Sequence, residues 1–360
     1  MKRREFLKKA GIGAVAASSV FGPVYAQTQP RIRWRMATSW PRSLDTLFGG
    51  AELVARRVSE LTEGRFEIQV FPAGELAPGL QVLDVVQAGN VEMGHTANYY
   101  YIGKSPSLAF DTGLPFGLNP RQQNAWLYFG GGLQAMQRVI ADFNAITFPA
   151  GNTGVQMGGW FRREIRGPED LRGLRFRIPG LGGQVMSRLG ATVQTLPGGE
   201  IYLALERGAI DGAEWVGPYD DERLGLHRAA RFYYYPGWWE PGSTVSTIVN
   251  LERWRSLPKA YQEAIISASR EANDSVMAEY DAKNAPALAR LVRAGTQLRP
   301  YPTSVLQAAN QAATALYDEI AARDATFRGI YEGWRRFRDE TRRWFATNEF
   351  RYDDFVRTLR

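Results

Sequence analysis

Three side chains near the middle of this chain have the chemistry to hold a small acid: Gln156, Arg177 and Glu214. Arg177 ends the alternating stretch Leu171–Gly180, between apolar Phe176 and Ile178, and Pro179-Gly180 stops the strand behind it. A guanidinium grips a carboxylate through two parallel hydrogen bonds, a geometry lysine cannot copy. The same spacing also suits an internal salt bridge to an Asp or Glu. Glu214 stands between Ala213 and Trp215, where a charge needs a partner or a metal ion. No nucleophile or second acid adjoins it, so it reads as a metal ligand or hydrogen-bond acceptor rather than a general base. Gln156 lies in the glycine-flanked run Thr153–Trp160, read as a strand. Its amide either serves the core backbone or offers a hard oxygen to a cation such as Na⁺ or Ca²⁺. Glu240, framed by Trp238, Trp239 and Pro241, is a further carboxylate. Tyr99, Tyr100, Trp215 and Trp239 supply either core or the walls of a small apolar pocket.

Such residues must be delivered by strand ends, because ligands collect at the carboxyl ends of strands in open α/β sheets. Ile32–Ala37 and Phe66–Phe71 alternate as strands, with a helix over Leu44–Leu61 that Ser43 would cap. A helix around Leu80–Gln87 and a strand at Val91–Gly94 complete a βαβαβ rhythm, which implies a parallel sheet covered by helices. Gly208–Trp215 reads as a helix end, a short strand and then Glu214-Trp215 at its carboxyl end. The pattern recurs: Val86–Gly94 aligns with Leu205–Ala213, Gly89 with Gly208, Glu92 with Asp211, and upstream Gly74-Glu75 with Gly199-Glu200. Two lobes built alike follow from this, each aiming a helix–glycine–strand corner at the cleft. Beyond Pro258 the chain turns helical: Lys259–Asn284, a kink or restart at Pro286, a strand at Thr296–Tyr301, and helices over Thr303–Ala322 and Asp324–Asn348. Tyr331, Trp334, Phe337, Trp344 and Phe345 on the last helix pack either on their own subunit or into a partner's groove.

Composition narrows the class. Lys2-Arg3-Arg4 with Phe6, Leu7 and Lys8 has the arrangement of a twin-arginine export signal, followed by a weakly apolar run and a small-residue cleavage point after Ala26. Removing residues 1–26 takes five Lys/Arg and one Glu, so the formal charge falls from +7 to +3. The remaining basic residues are interleaved with acids, which excludes a nucleic-acid partner. The absence of cysteine excludes disulfides, thiolate catalysis and Cys-based zinc sites. Two histidines, His95 and His227, exclude a multi-histidine metal centre, and no P-loop, Gly-x-Ser-x-Gly elbow or dinucleotide fingerprint occurs. His95 reads as a hydrogen-bonded loop residue rather than a catalyst.

At Val85–Gly94, Leu171–Gly180, Leu196–Tyr202 and Gly208–Trp215 the chain resembles the DctP-type substrate-binding subunits of tripartite ATP-independent periplasmic (TRAP) transporters. Gly212–Asp221 with Trp238–Gly242 resembles the branch that binds 2-oxo or 2-hydroxy monocarboxylates such as pyruvate with a metal ion. The resemblance implies a two-lobed periplasmic α/β solute-binding fold with mixed or parallel sheets, a long connecting helix and a helical C-terminus. It implies lobe I over 27–150, completed by parts of 240–325, lobe II over 151–239, a connecting helix within 258–295, and a dimerisation helix within 324–360. Matched by position, Arg177 grips the ligand carboxylate. Gln156, Glu214 and the Trp215 carbonyl hold the cation, Na⁺ by precedent with Ca²⁺ as the alternative. Glu240 and Tyr100 are further substrate contacts. The expected function is a periplasmic receptor, not an enzyme, that passes its ligand to a large and a small membrane subunit. The rival is a secreted metal-dependent hydrolase or lyase using Glu214 and Glu240, and a third reading is a receptor that feeds a sensor. One guanidinium against two glutamates and a monocarboxylate leaves an excess of negative charge, so under Na⁺ Glu240 is expected to be partly solvated or bonded to donors.

Overall fold

Alternation along Ile32–Thr38 and Phe66–Phe71 puts Trp34, Met36, Phe66 and Ile68 on one buried face. These segments pair in parallel as β1 and β2 in the computed structural model, which describes residues 29–359. The leader and its cleavage point after Ala26 lie outside the described residues. β3 (Met93–Thr96) lies parallel along the other side of β1. β10 (Thr244–Asn250) and β4 (Ala145–Asn152) complete a five-stranded sheet in the order β2-β1-β3-β10-β4, with β10 antiparallel to both neighbours. The second sheet holds β11 (Gln297–Pro300), β9 (Phe232–Tyr235), β5 (Gly159–Phe161), β8 (Gly212–Ala213), β6 (Arg175–Arg177) and β7 (Thr192–Gln194), in that order. There β8, β6 and β7 are parallel, and β5 runs antiparallel to β8 and β9. The fold is therefore α/β and two-lobed, one mixed sheet to each lobe. The helix Lys259–Arg293 packs on β4, on the helix Leu47–Leu61 and on the short helix Pro218–Arg223, touching elements of both lobes.

The internal repeat is physical. Helix Val82–Gln87 turns at Gly89 into β3, and helix Gly198–Glu206 turns at Gly208 into β8, with φ of +73° and +69° at the two glycines. Only a residue without Cβ enters that region cheaply. After each corner an acid grips an arginine on the adjacent strand: Glu92 accepts from the Arg35 backbone N on β1, and Asp211 from the Arg175 backbone N on β6. Matching registers place Ala37 of β1 where β6 carries Arg177, and His95 where the second lobe carries Glu214. The guanidinium therefore comes from one lobe only.

Four local expectations change. The first long helix begins at Leu47, not Leu44, because residues 41–44 form a turn whose Ser43 carbonyl accepts from Arg223. Thr153–Trp160 is a loop until Gly159: Gly154 and Gly159 both take positive φ, and Gln156 and Met157 bond backbone to Gly237 and Val216. Pro286 lies inside one continuous helix, on its exposed side, where water can satisfy the carbonyl that proline leaves free. The C-terminus is two helices, Ala325–Thr347 and Glu349–Val356, divided at Asn348. No helix among the described residues is long and apolar enough to cross a membrane.

Candidate binding site

β6 is only three residues long, and its work is to end at Arg177. The strand is locked between β7 and β8, and the Glu214 backbone N donates to the Arg177 carbonyl at 3.1 Å. That bond brings the first residue after β8 beside the last residue of β6. The Arg177 side chain, 1% exposed, donates from Nε to the Leu196 carbonyl at 3.0 Å and from Nη1 to the Glu214 carbonyl at 2.9 Å. Nη1 also donates to Glu214 Oε1, forming a fully buried ion pair. The Trp215 ring lies 5.1 Å from the guanidinium carbon. Both readings of Arg177 thus coexist: it is salt-bridged internally, yet its Nη2 has no partner.

Among the other candidate site residues, two further atoms share that condition. Glu214 Oε2 and Gln156 Oε1 are buried and unpartnered, while Gln156 Nε2 is spent on Thr153 Oγ1 at 3.0 Å. A buried polar atom without a partner costs about 1–3 kcal/mol, and more when charged. Two hard oxygens and one N–H left in this state fit a cation and an anion respectively. The Gln156 amide and the Glu214 carboxylate would hold the cation as oxygen donors. The fit is chemical: an amide and a carboxylate, with no thiolate or imidazole, suit Na⁺ or Ca²⁺.

Gln156, Trp215, Glu240 and Tyr100 meet at a small cavity of about 20 Å³, with Trp40 and Tyr99 completing its aromatic wall. Glu240 is 2% exposed, so the alternative of partial solvation fails; its donor is Ser243 Oγ, 2.5 Å from Oε2. Burial pushes the Glu240 carboxyl up to about 7, against the pull of Ser243 and Tyr99. Burial also drives the Glu214 carboxyl well up, opposed by Arg177 and reinforced by Glu240 and Asp221. For Arg177, burial works against the charge, but Glu214, Tyr100, Tyr99 and Glu240 hold it above the ordinary arginine value. The site is an enclosed group of charges short of positive charge.

The structure places Gln156, Trp215, Glu240 and Tyr100 on the cavity lining, and the Arg177–Glu214 pair outside that lining, against Trp215 and near enough to Tyr100 and Glu240 to influence their charge. It adds Trp40, Ser243 and Thr153, which sequence reading passed over. Trp40 lies two residues past the carboxyl end of β1, in the region where ligands collect, so the signal was present. His95 lies on β3, fully buried, accepting from Trp40 Nε1 at 2.7 Å through Nδ1 and facing the Ala150 carbonyl at 3.1 Å through Nε2. Burial lowers it to about 4, so it stays neutral and anchors a cavity wall.

A family model described as bacterial extracellular solute-binding protein, family 7, matches residues 36–324. A monocarboxylate 2-oxoacid-binding periplasmic protein of Nostoc sp. is 59% identical over 99% of both chains. A TRAP transporter solute binding protein from Bordetella bronchiseptica is 46% identical with a TM-score of 0.90, covering 91% of this chain and 98% of its own. Its crystal is a mixed-occupancy dimer with copurified calcium and picolinate in one active site. A TRAP periplasmic solute binding protein from Pseudoalteromonas atlantica, with bound sodium and pyruvate, is 36% identical with a TM-score of 0.87, covering 90% of this chain and 99% of its own.

Proposed function

The chain belongs to the bacterial extracellular solute-binding proteins of family 7, and from that premise we propose that it is the periplasmic receptor of a TRAP transporter. It captures a small 2-oxo or 2-hydroxy monocarboxylate such as pyruvate, together with Na⁺ or Ca²⁺, and hands it to a large and a small membrane subunit. The observation that carries this reading is the set of unpartnered buried atoms, Arg177 Nη2, Glu214 Oε2 and Gln156 Oε1. A ligand carboxylate takes the free face of Arg177. Gln156 Oε1, Glu214 Oε2 and the Trp215 carbonyl would hold the cation, which would supply positive charge to the bound acid. Glu240 and Tyr100 contact the ligand from the cavity wall. Closing the lobes excludes water and strengthens these contacts.

The ligand is returned unchanged. A hydrolase or lyase using Glu214 and Glu240 would turn the bound acid over, whereas the family is one of solute-binding receptors. Export through a twin-arginine route and dimerisation through the C-terminal helices belong to the same reading. The helix Glu349–Val356 has no buried residue, and the Bordetella relative forms a dimer.

Calorimetry with pyruvate on chelator-treated protein, with Na⁺ or Ca²⁺ added back, tests the proposal. Binding that requires a cation is expected. Arg177→Ala should cost about 2–5 kcal/mol of affinity, because it leaves a buried carboxylate unpaired. Turnover of the acid, or an affinity change under about threefold, overturns the assignment.

A further inference from the structure

Asp220 lies behind the cavity wall, fully buried in the short helix Pro218–Arg223. Its Oδ1 accepts from Thr46 Oγ1 at 2.7 Å. Its Oδ2 accepts from Tyr280 Oη at 2.8 Å and from Trp215 Nε1 at 3.4 Å. Thr46 precedes the helix that starts at Leu47, and that helix packs on the β1–β2 sheet. Trp215 follows β8 of the other sheet, and Tyr280 stands on the long connecting helix. Leu47 and Trp215 both line the ligand cavity. One carboxylate therefore holds a wall residue from each lobe, through Thr46 on one side and the indole on the other.

The surface around this carboxylate repeats the arrangement. Arg223 Nε donates to the Ser43 carbonyl at 2.8 Å, Tyr219 Oη to Asp45 Oδ2 at 2.9 Å, and Arg223 and Lys283 each lie 3.4 Å from Asp45. Those exposed pairs are worth little each. The buried Thr46–Asp220 bond is a charge-assisted one, sheltered from water, and is stronger than any of them.

We propose that Asp220 is a positioning residue that couples lobe closure to assembly of the binding cavity, by accepting Thr46 from one lobe while it fixes the Trp215 indole of the other. Opening the lobes breaks the Thr46 bond. Closing restores it and sets Trp215, whose carbonyl is a proposed cation donor and whose ring lies against Arg177, in place. The inference rests on the receptor reading above, and the ligand-release rate is where it shows. A contact formed on closure slows release and leaves capture unchanged, because encounter occurs in the open form.

Stopped-flow fluorescence with pyruvate in sodium buffer, comparing the wild type with Thr46→Val, Thr46→Ser, Asp220→Asn and the Thr46→Val/Asp220→Asn pair, tests it. Thr46→Val should raise koff about tenfold with kon within about twofold, as loss of a hydrogen bond to a charged group predicts. Thr46→Ser, which keeps the hydroxyl, should restore the wild-type rate. The double variant should release no faster than the worse single one. A Thr46→Val koff within about twofold of wild type, or effects of the two substitutions that multiply, overturns the coupling while leaving the receptor reading intact. If Asp220→Asn does not fold, the Val and Ser variants at position 46 decide alone. Failure of the wild type to bind pyruvate with sodium or with calcium overturns the receptor reading, and the coupling with it.

Discussion

With a monocarboxylate bound, one guanidinium faces three carboxylates: those of Glu214, Glu240 and the ligand. Sodium leaves one negative charge in excess, whereas calcium balances the site; alternatively sodium suffices if Glu240 keeps its proton. Glu240 is poised for that choice, since burial has raised it to about 7. The preference for Ca²⁺ over Na⁺ should therefore grow as pH rises from about 6 to 8, and Glu240→Gln should flatten it and favour Na⁺. Pyruvate titrations in each ion across that range would contradict this if the ratio of affinities stayed level. The ligand-free protein should respond in the opposite sense. A carboxyl raised above its usual 4.5 contributes stability that is complete below that value and lost as pH climbs through 7. Burial also raises Asp220, to about 6, and Asp221, to about 7, so the same sign applies to both. The apo melting temperature should fall from pH 5 to 8, and cation with pyruvate should lessen the fall. At this scale the charged candidates were legible because charge among apolar neighbours is conspicuous. Ser243 and Thr153 were not, since a hydroxyl carries no such contrast until its partner is known.

Elements were legible where one rule acted alone. β1 and β2 follow from alternation, and the Gly89 and Gly208 corners from glycine spacing. The reading failed where tertiary bonds outvoted local pattern: the strand expected through Thr153–Trp160 is bent aside by its contacts to Val216 and Gly237. The start of the helix Gly180–Arg188 is another such place. Gly180 has φ +64°, and a Cβ there would stand 2.6 Å from Cδ2 of Tyr99, which belongs to the turn Asn98–Tyr101 after β3. The two lobes therefore meet through a tyrosine seated on a bare backbone. Gly180→Ala should cost about 1–2 kcal/mol from the backbone conformation alone. It should also weaken pyruvate binding by holding Tyr99 off the cavity wall. Thermal melts and titrations of that variant check both; unchanged affinity beside a lowered melting temperature would confine the role of Gly180 to folding.

The pseudo-symmetry of the whole molecule explains why the site is lopsided. Both lobes carry the same corner and the same acid–arginine clasp, yet the second lobe supplies Arg177 and Glu214 where the first supplies Ala37 and His95. The Arg177–Glu214 ion pair is thus delivered from one lobe, while the first contributes Trp40, Tyr99 and Tyr100 to the wall, so closure brings aromatic rings towards a charged pair. The C-terminal helices stand outside this scheme. Tyr331 and Trp334 pack into their own subunit, but farther along Trp344, Phe350, Tyr352 and Phe355 are each more than half exposed. Apolar surface grouped this way on a monomer marks an interaction site, and a two-fold pairing of copies would cover it with its own equivalent. A chain ending at Asn348 loses the helix Glu349–Val356, which has no buried residue, so the lobes and their cavity should survive the cut. Light scattering should find the full mature chain as a dimer and the shortened chain as a monomer, with pyruvate affinity changed less than about threefold. A dimer that persists after the truncation would place the contact elsewhere, and lost pyruvate binding would mean that the helix supports the site itself.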